Sequence, residues 1–230
     1  MAAWAGFVMD GGGLVEPDPG CRQRLEALSA LRRHVPRGAA LFRSGDPLVA
    51  LYQVHAGFFK TCISDASGRN QVIGFHLNGE LLGLDGIDDD RHSVVAVALE
   101  DTLVRVIPYA GLCRLFQEYA SLQHEFHRLV SREIVRSHTM LLLLGTVAAE
   151  GRVAAFLIDL TQRLKQRGFS ASSFVLRMTR EEIGSYLGLQ LETVSRTFSK
   201  LQCEGVLHIR HRDVHVLNEA ALRRIASAQN

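Results

Sequence analysis

The chain has 230 residues, 47% of them hydrophobic and 22% charged, with a formal net charge of only +2; that length allows one or two domains with a sizeable buried core. The charge is uneven: residues 151–230 carry 12 Lys/Arg against 7 Asp/Glu, a net of +5, and residues 1–150 carry 14 against 17, a net of −3, as suits a nucleic-acid-binding module on an acidic body. The four cysteines, Cys21, Cys62, Cys113 and Cys203, form no CxxC or CxxH unit, which excludes a metal or cluster site built on local spacing and fits reduced thiols in a cytoplasmic protein.

Residues 1–19, rich in Gly, Pro and small side chains, read as a flexible tail without the basic and apolar regions of a secretory leader. Residues 22–33 fit a short helix with Leu25, Leu28 and Leu31 on one side. From Pro36 to about Pro108 short apolar runs, such as residues 51–54, 71–75 and 93–98, are punctuated by Gly38, Gly45, Gly57, Gly68, Gly79 and Gly83. Short strands with frequent glycine turns predict a small barrel or roll, assigned to residues 20–109. From Leu112 to Ala148 the pattern is helical and long. Phe126, Val130, Ile134, Ser137, Leu141, Leu144 and Ala148 step by four and three residues, the rhythm of a two-stranded coiled-coil seam. Residues 110–148 are therefore expected to be a dimerisation helix, part of its surface packed on the chain's own roll, with the small Ser137 neither repelling nor strongly attracting its mate. The leucine run at 141–144 is too short to span a bilayer, so no membrane association is expected.

A helix at 151–168 opens the basic third. Within residues 149–230, Thr179 with Glu182 three residues on forms a capping-box signature for a helix start. Gly188 falls where a tight turn needs a left-handed residue, and Gly184 leaves room for close helix approach. Leu191, Val194, Phe198 and Leu201 then recur at helical spacing as a buried stripe. On another face of the same helix stand Glu192, Ser195, Arg196 and Ser199. Arg forks onto guanine O6 and N7, Glu accepts from cytosine N4, and Ser serves either. Glu192 and Arg196 could equally form an ordinary i, i+4 ion pair. The capping signature and glycine turn favour a helix-turn-helix whose second helix reads base edges through Glu192, Ser195 and Arg196. Alternating apolar residues on either side of a basic turn at residues 205–217 predict a β-hairpin wing. Arg180, Ser199, Lys200, Arg210 and Arg212 are the candidates for DNA-backbone contact.

The predicted architecture is α+β: an N-terminal β-roll, a long dimerisation helix and a C-terminal winged helix-turn-helix. Assembled in that order, the parts resemble the CRP/FNR superfamily of bacterial transcription regulators over almost the whole chain from Pro36 onward. Residues 74–83 (GFHLNGELLG) and 187–196 (LGLQLETVSR) are most similar to the FNR-like branch. The resemblance implies a homodimer in which Glu192, Ser195 and Arg196 read a TTGAT-N4-ATCAA-like palindrome. It also implies activation by contact with RNA polymerase, for which the loop at residues 85–91, with Asp85, Gly86 and Asp88, is the candidate surface. Gln190 departs from the Thr common in relatives and is a poorer N-cap.

The sensor departs further. An FNR-type iron–sulfur cluster needs converging thiolates, but only Cys21 precedes the roll and Arg105 stands where the roll ligand would fall; no such cluster is expected. Gly79 and Glu80 match the cyclic-nucleotide pocket of the CRP branch. His92, however, replaces the phosphate-holding arginine, and residues 88–90 are three aspartates that repel an anion, so cyclic nucleotide is disfavoured. No cofactor or metal is therefore assigned. Regulation by cellular amount of protein is the first expectation; a different small ligand in the roll, or oxidation of Cys203 at the end of the recognition helix, is the alternative. Neither a nucleophile–base arrangement nor a phosphate-cradling loop is present, so the chain is not expected to be an enzyme.

Overall fold

The computed structural model describes residues 18–64, 68 and 70–227. The expected tail lies outside them up to residue 17, and its last two positions belong to a helix instead. Asp18 accepts the Gly20 N–H and Pro19 opens helix α1 (Pro19–Leu28), where its fixed φ and missing N–H cost nothing. α1 ends four residues before strand β1 begins, so Leu31 lies outside the helix and is 65% exposed, against the expected helix to 33.

The chain divides into two compact units, Met1–Ile134 and Val135–Asn230. In the first, eight strands follow α1: β1 (Arg32–Val35), β2 (Ala40–Phe42), β3 (Ala50–Ala56), β4 (Phe59–Ser64), β5 (Asn70–His76), β6 (Leu81–Leu82), β7 (Val95–Ala98) and β8 (Thr102–Pro108), with a 3-10 turn at Leu84–Gly86. They form two four-stranded sheets, ordered β1-β8-β3-β6 and β2-β7-β4-β5, with antiparallel pairing throughout. Phe42, Tyr52, Val54, Phe59, Leu82, Ala96 and Val104, drawn from both sheets, make one buried cluster. Successive strand residues point to opposite faces, so Leu51 and Ile107 join a second cluster with Cys21 and Leu25 of α1. Burial on both faces explains why β3 reads as a nearly continuous apolar run.

Helix α2 (Tyr109–Glu118) is separate from the long helix α3 (Ala120–Thr146), because Tyr119 adopts non-helical angles (φ −129°, ψ 88°). The expected uninterrupted helix from Leu112 is therefore two helices. This break turns the start of α3 onto the roll. Leu122 and Phe126 are buried in the second cluster, Val130 packs against it, and the Phe126 ring lies 5.0 Å from that of Phe116. Phe126 therefore belongs to the chain's own core rather than to a seam between subunits. Farther along, Ile134 and Leu141 are 50% and 67% exposed and Ser137 is exposed.

The second unit holds the rest of α3, then α4 (Ala149–Gln166), β9 (Ser173–Val175), α5 (Arg180–Leu187), α6 (Leu191–Cys203), β10 (Leu207–Arg210), β11 (Asp213–Val216) and α7 (Glu219–Ser227). β10 and β11 form the expected hairpin, and β9 extends it into a three-stranded sheet ordered β10-β11-β9. β9 and α7 were not foreseen; three residues are too few to show a period. Among the described residues no helix is long and apolar enough to cross a membrane.

Candidate nucleic-acid interface

The helix-turn-helix is set by local chemistry. The Thr179 hydroxyl accepts the Glu182 N–H at 3.1 Å, and the Glu182 carboxylate accepts the Thr179 N–H at 2.7 Å. This reciprocal box satisfies two of the orphan donors at the start of α5. Gly188 closes α5 at φ 63°, and Gly184 O accepts the Leu189 N–H at 2.9 Å. A Cβ at Gly184 would stand 2.6 Å from Leu189 O, so only glycine lets the turn fold back this tightly. α6 then starts at Leu191 with Gln190 as N-cap and no side-chain cap bond, as the poor capping residue foretold.

Val194, Phe198 and Leu201 of α6 are buried, but Leu191 is 44% exposed. Its spacing placed it in the buried stripe, yet it begins the helix and so flanks the polar face. On that face Glu192, Arg196 and Ser199 are exposed and Ser195 is half-buried. Glu192 and Arg196 do not pair with each other, although they are four residues apart; among the described residues neither takes part in an ion pair. Their acceptor and fork are uncommitted. The Ser199 hydroxyl bonds back to Ser195 O at 3.1 Å.

The backbone candidates divide. Arg210 and Arg212 are exposed at the tip of the wing, where His211 carries the turn at φ 56°. Lys200 is already in an ion pair, 2.6 Å from Glu150 of α4 and 3.8 Å from Glu204, and Glu150 first and foremost raises its pKa. Arg180 differs from expectation. Its guanidinium lies 3.4 Å from the centre of the Phe198 ring, and burial pushes its pKa down to about 10. At neutral pH it is still a cation, stacked on the recognition helix rather than reaching outward for phosphate. Gln202, not foreseen, accepts the Ile209 N–H at 3.0 Å and ties α6 to the wing. Cys203 is exposed at the end of α6.

In the roll, Asp85 does not face outward. Its carboxylate accepts the N–H groups of Ser93 and Val94 at 2.8 and 3.2 Å and holds the loop closed. Gly86 is buried against Leu48 and Arg91. Of the three residues expected to form an external contact, only Asp88 is exposed. His92 is buried, stacked on Phe42 with ring centres 3.7 Å apart, and its Nδ1 faces Asp85 at 3.5 Å without a hydrogen bond. Glu80 accepts the Leu77 N–H at 3.1 Å.

Comparison with known proteins agrees with this geometry. Residues 151–225 match the Crp-like helix-turn-helix domain and residues 32–119 the cyclic nucleotide-binding domain. The transcriptional regulatory protein btr of Bordetella pertussis is 46% identical over 208 residues, covering 90% of this chain and 86% of its own. The transcriptional activator protein anr of Pseudomonas aeruginosa is 42% identical over 197 residues, 86% of this chain and 81% of its own. Among solved structures, FixK2 from Bradyrhizobium japonicum superposes with a TM-score of 0.80 at 30% identity, covering 86% of this chain and 98% of that one. These relatives are regulators, not enzymes. With a matching roll, a matching helix-turn-helix and close relatives along nine-tenths of its length, the chain belongs to the CRP/FNR family of transcription regulators.

Proposed function

We propose that the protein is a cytoplasmic, homodimeric activator that reads a TTGAT-N4-ATCAA-like palindrome through Glu192, Ser195 and Arg196. The observation carrying this reading is that Glu192 and Arg196 are exposed on one face of α6 and, among the described residues, neither takes part in an ion pair. A carboxylate and a guanidinium left unpaired at that spacing suit cytosine N4 and guanine O6/N7. Exposed Leu191 adds an apolar surface for a thymine methyl group. Ile134, Ser137 and Leu141, exposed along α3, supply the dimer seam, and two recognition helices about 34 Å apart match a palindrome. Arg210 and Arg212 contact phosphates from the wing, and Asp88 is the residue offered to RNA polymerase.

The protein acts without an iron–sulfur cluster or cyclic nucleotide. Only Cys21 precedes the roll, and Arg105, at the place of the expected roll ligand, offers iron no thiolate. A cyclic phosphate at His92 would meet the Asp85 carboxylate and a ring already stacked on Phe42. Those residues do not fit the nucleotide.

The test is binding of aerobically purified protein, without added effector, to the palindromic duplex and to a scrambled one at fixed salt. Specific binding is expected, and Arg196→Ala should lose roughly 1–3 kcal/mol of discrimination at its guanine. Sequence-blind binding by the wild type, or uniform weakening of all duplexes by the variant, overturns the base-reading assignment. Specific binding that appears only with an added small ligand, or that vanishes when Cys203 is oxidised, points to the alternative modes of control.

A further inference from the structure

Arg152 sits in the first turn of α4, where a cation opposes the positive end of its own helix. Its side chain turns away to the negative ends of two others. Nε donates to Val147 O at 2.7 Å, just beyond the end of α3, and Nη1 donates to Leu187 O at 3.2 Å, the last residue of α5. Both acceptors are carbonyls at helix C-termini, which lack intrahelical partners. Charge-assisted bonds from one rigid, planar group fix the two acceptors relative to each other. A Cβ on Gly188 would lie 3.7 Å from this guanidinium and 3.8 Å from Leu144 of α3, so the turn of the helix-turn-helix rests against both. Two further ties run alongside: Arg136 of α3 to Asp159 of α4 at 3.4 Å, and Glu150 of α4 to Lys200 of α6 at 2.6 Å.

From this junction we propose that Arg152 is a positioning residue: it sets the angle at which the recognition helix is carried off the end of α3, and thereby the half-site spacing the protein accepts. The inference rests on the dimer-and-palindrome reading above. In a dimer joined through α3, a change of angle at Arg152 appears in both subunits and moves the two recognition helices relative to one another. Neither helix loses its own contact with a half-site. Arg152 itself touches no base.

The test uses the full chain and duplexes in which TTGAT and ATCAA are separated by three, four, five or six base pairs, with a single half-site as control. Wild type, Arg152→Lys and Arg152→Ala are compared at one salt concentration, and folding is followed by circular dichroism. The wild type should favour one spacing by about tenfold or more, and Arg152→Ala should flatten that preference while single-site binding changes by less than about twofold. Arg152→Lys places a point charge where the fork was and should fall between them; it carries the test if the alanine variant does not fold. Unchanged spacing preference in a folded variant, or equal loss on every duplex including the single site, overturns the proposal alone. Absence of any spacing preference in the wild type overturns this proposal together with the palindrome reading.

Discussion

The guanidinium carbon of Arg180, at the first position of α5, lies over the ring of Phe198, eighteen residues later in the middle of α6, 3.4 Å from its centre. The contact braces the recognition helix from behind, on the side opposite Glu192 and Arg196. A half-buried cation–π pair contributes about 0.5–2 kcal/mol. Arg180→Ala should therefore lower unfolding free energy by about that amount in urea, and leave the slope of log affinity against log salt nearly unchanged. A drop in slope of about one without loss of stability would identify Arg180 as a phosphate contact instead.

Gly184 offers a sharper structural test. With Leu189 O only 2.6 Å from where a Cβ would stand, Gly184→Ala must open the turn between α5 and α6. Overpacking of this kind costs about 1–3 kcal/mol, and the alanine's better helix propensity returns at most about 1 kcal/mol. The variant should unfold at lower urea and lose specific DNA binding together. Stability equal to wild type would show that the turn has slack the geometry does not suggest.

The capping box at Thr179 and Glu182, the left-handed Gly188 and the uncapped Gln190 were legible in the sequence, because each depends on residues within four positions of itself. The exposed polar face of α6, with Glu192, Arg196 and Ser199, was legible for the same reason. What escaped depended on partners distant in the chain. Phe126 and Ile134 share one helical rhythm, yet the first packs against Phe116 and the roll's core while the second is 50% exposed. Leu191 shares the spacing of Val194 and Phe198 but stands at the end of the helix, where exposure follows from position rather than period. Arg180 reads as a free cation until Phe198 is folded beneath it.

His55 on β3 gives a pH dependence with a definite sign. Burial first, then the charges of Arg105 and Arg32, lower its pKa below the ordinary 6.5. The unfolded chain then binds the proton more readily than the folded one, so this residue's contribution to stability is present above pH 6.5. It is lost as pH falls through the depressed value. The difference in melting temperature between wild type and His55→Gln should shrink, or change sign in favour of the variant, between pH 7.5 and roughly 5. A difference that is constant across that range would show that His55 titrates normally in the folded protein.

Asp85 and Asp88 lie three residues apart in one acidic loop, yet the fold gives them separate tasks. The Asp85 carboxylate accepts the N–H groups of Ser93 and Val94. Asp85→Ala leaves those donors without their partner, at a cost of about 1–3 kcal/mol where they are shielded from water. Its effect on transcription should therefore follow its effect on stability. Asp88 is exposed, and Asp88→Ala should change stability by less than about 0.5 kcal/mol. If this loop contacts RNA polymerase, the Asp88 variant binds its operator with wild-type affinity but gives less transcript in a purified system. Undiminished transcription from Asp88→Ala, with DNA binding intact, would remove the loop from the activation surface and leave Asp85 a purely structural residue.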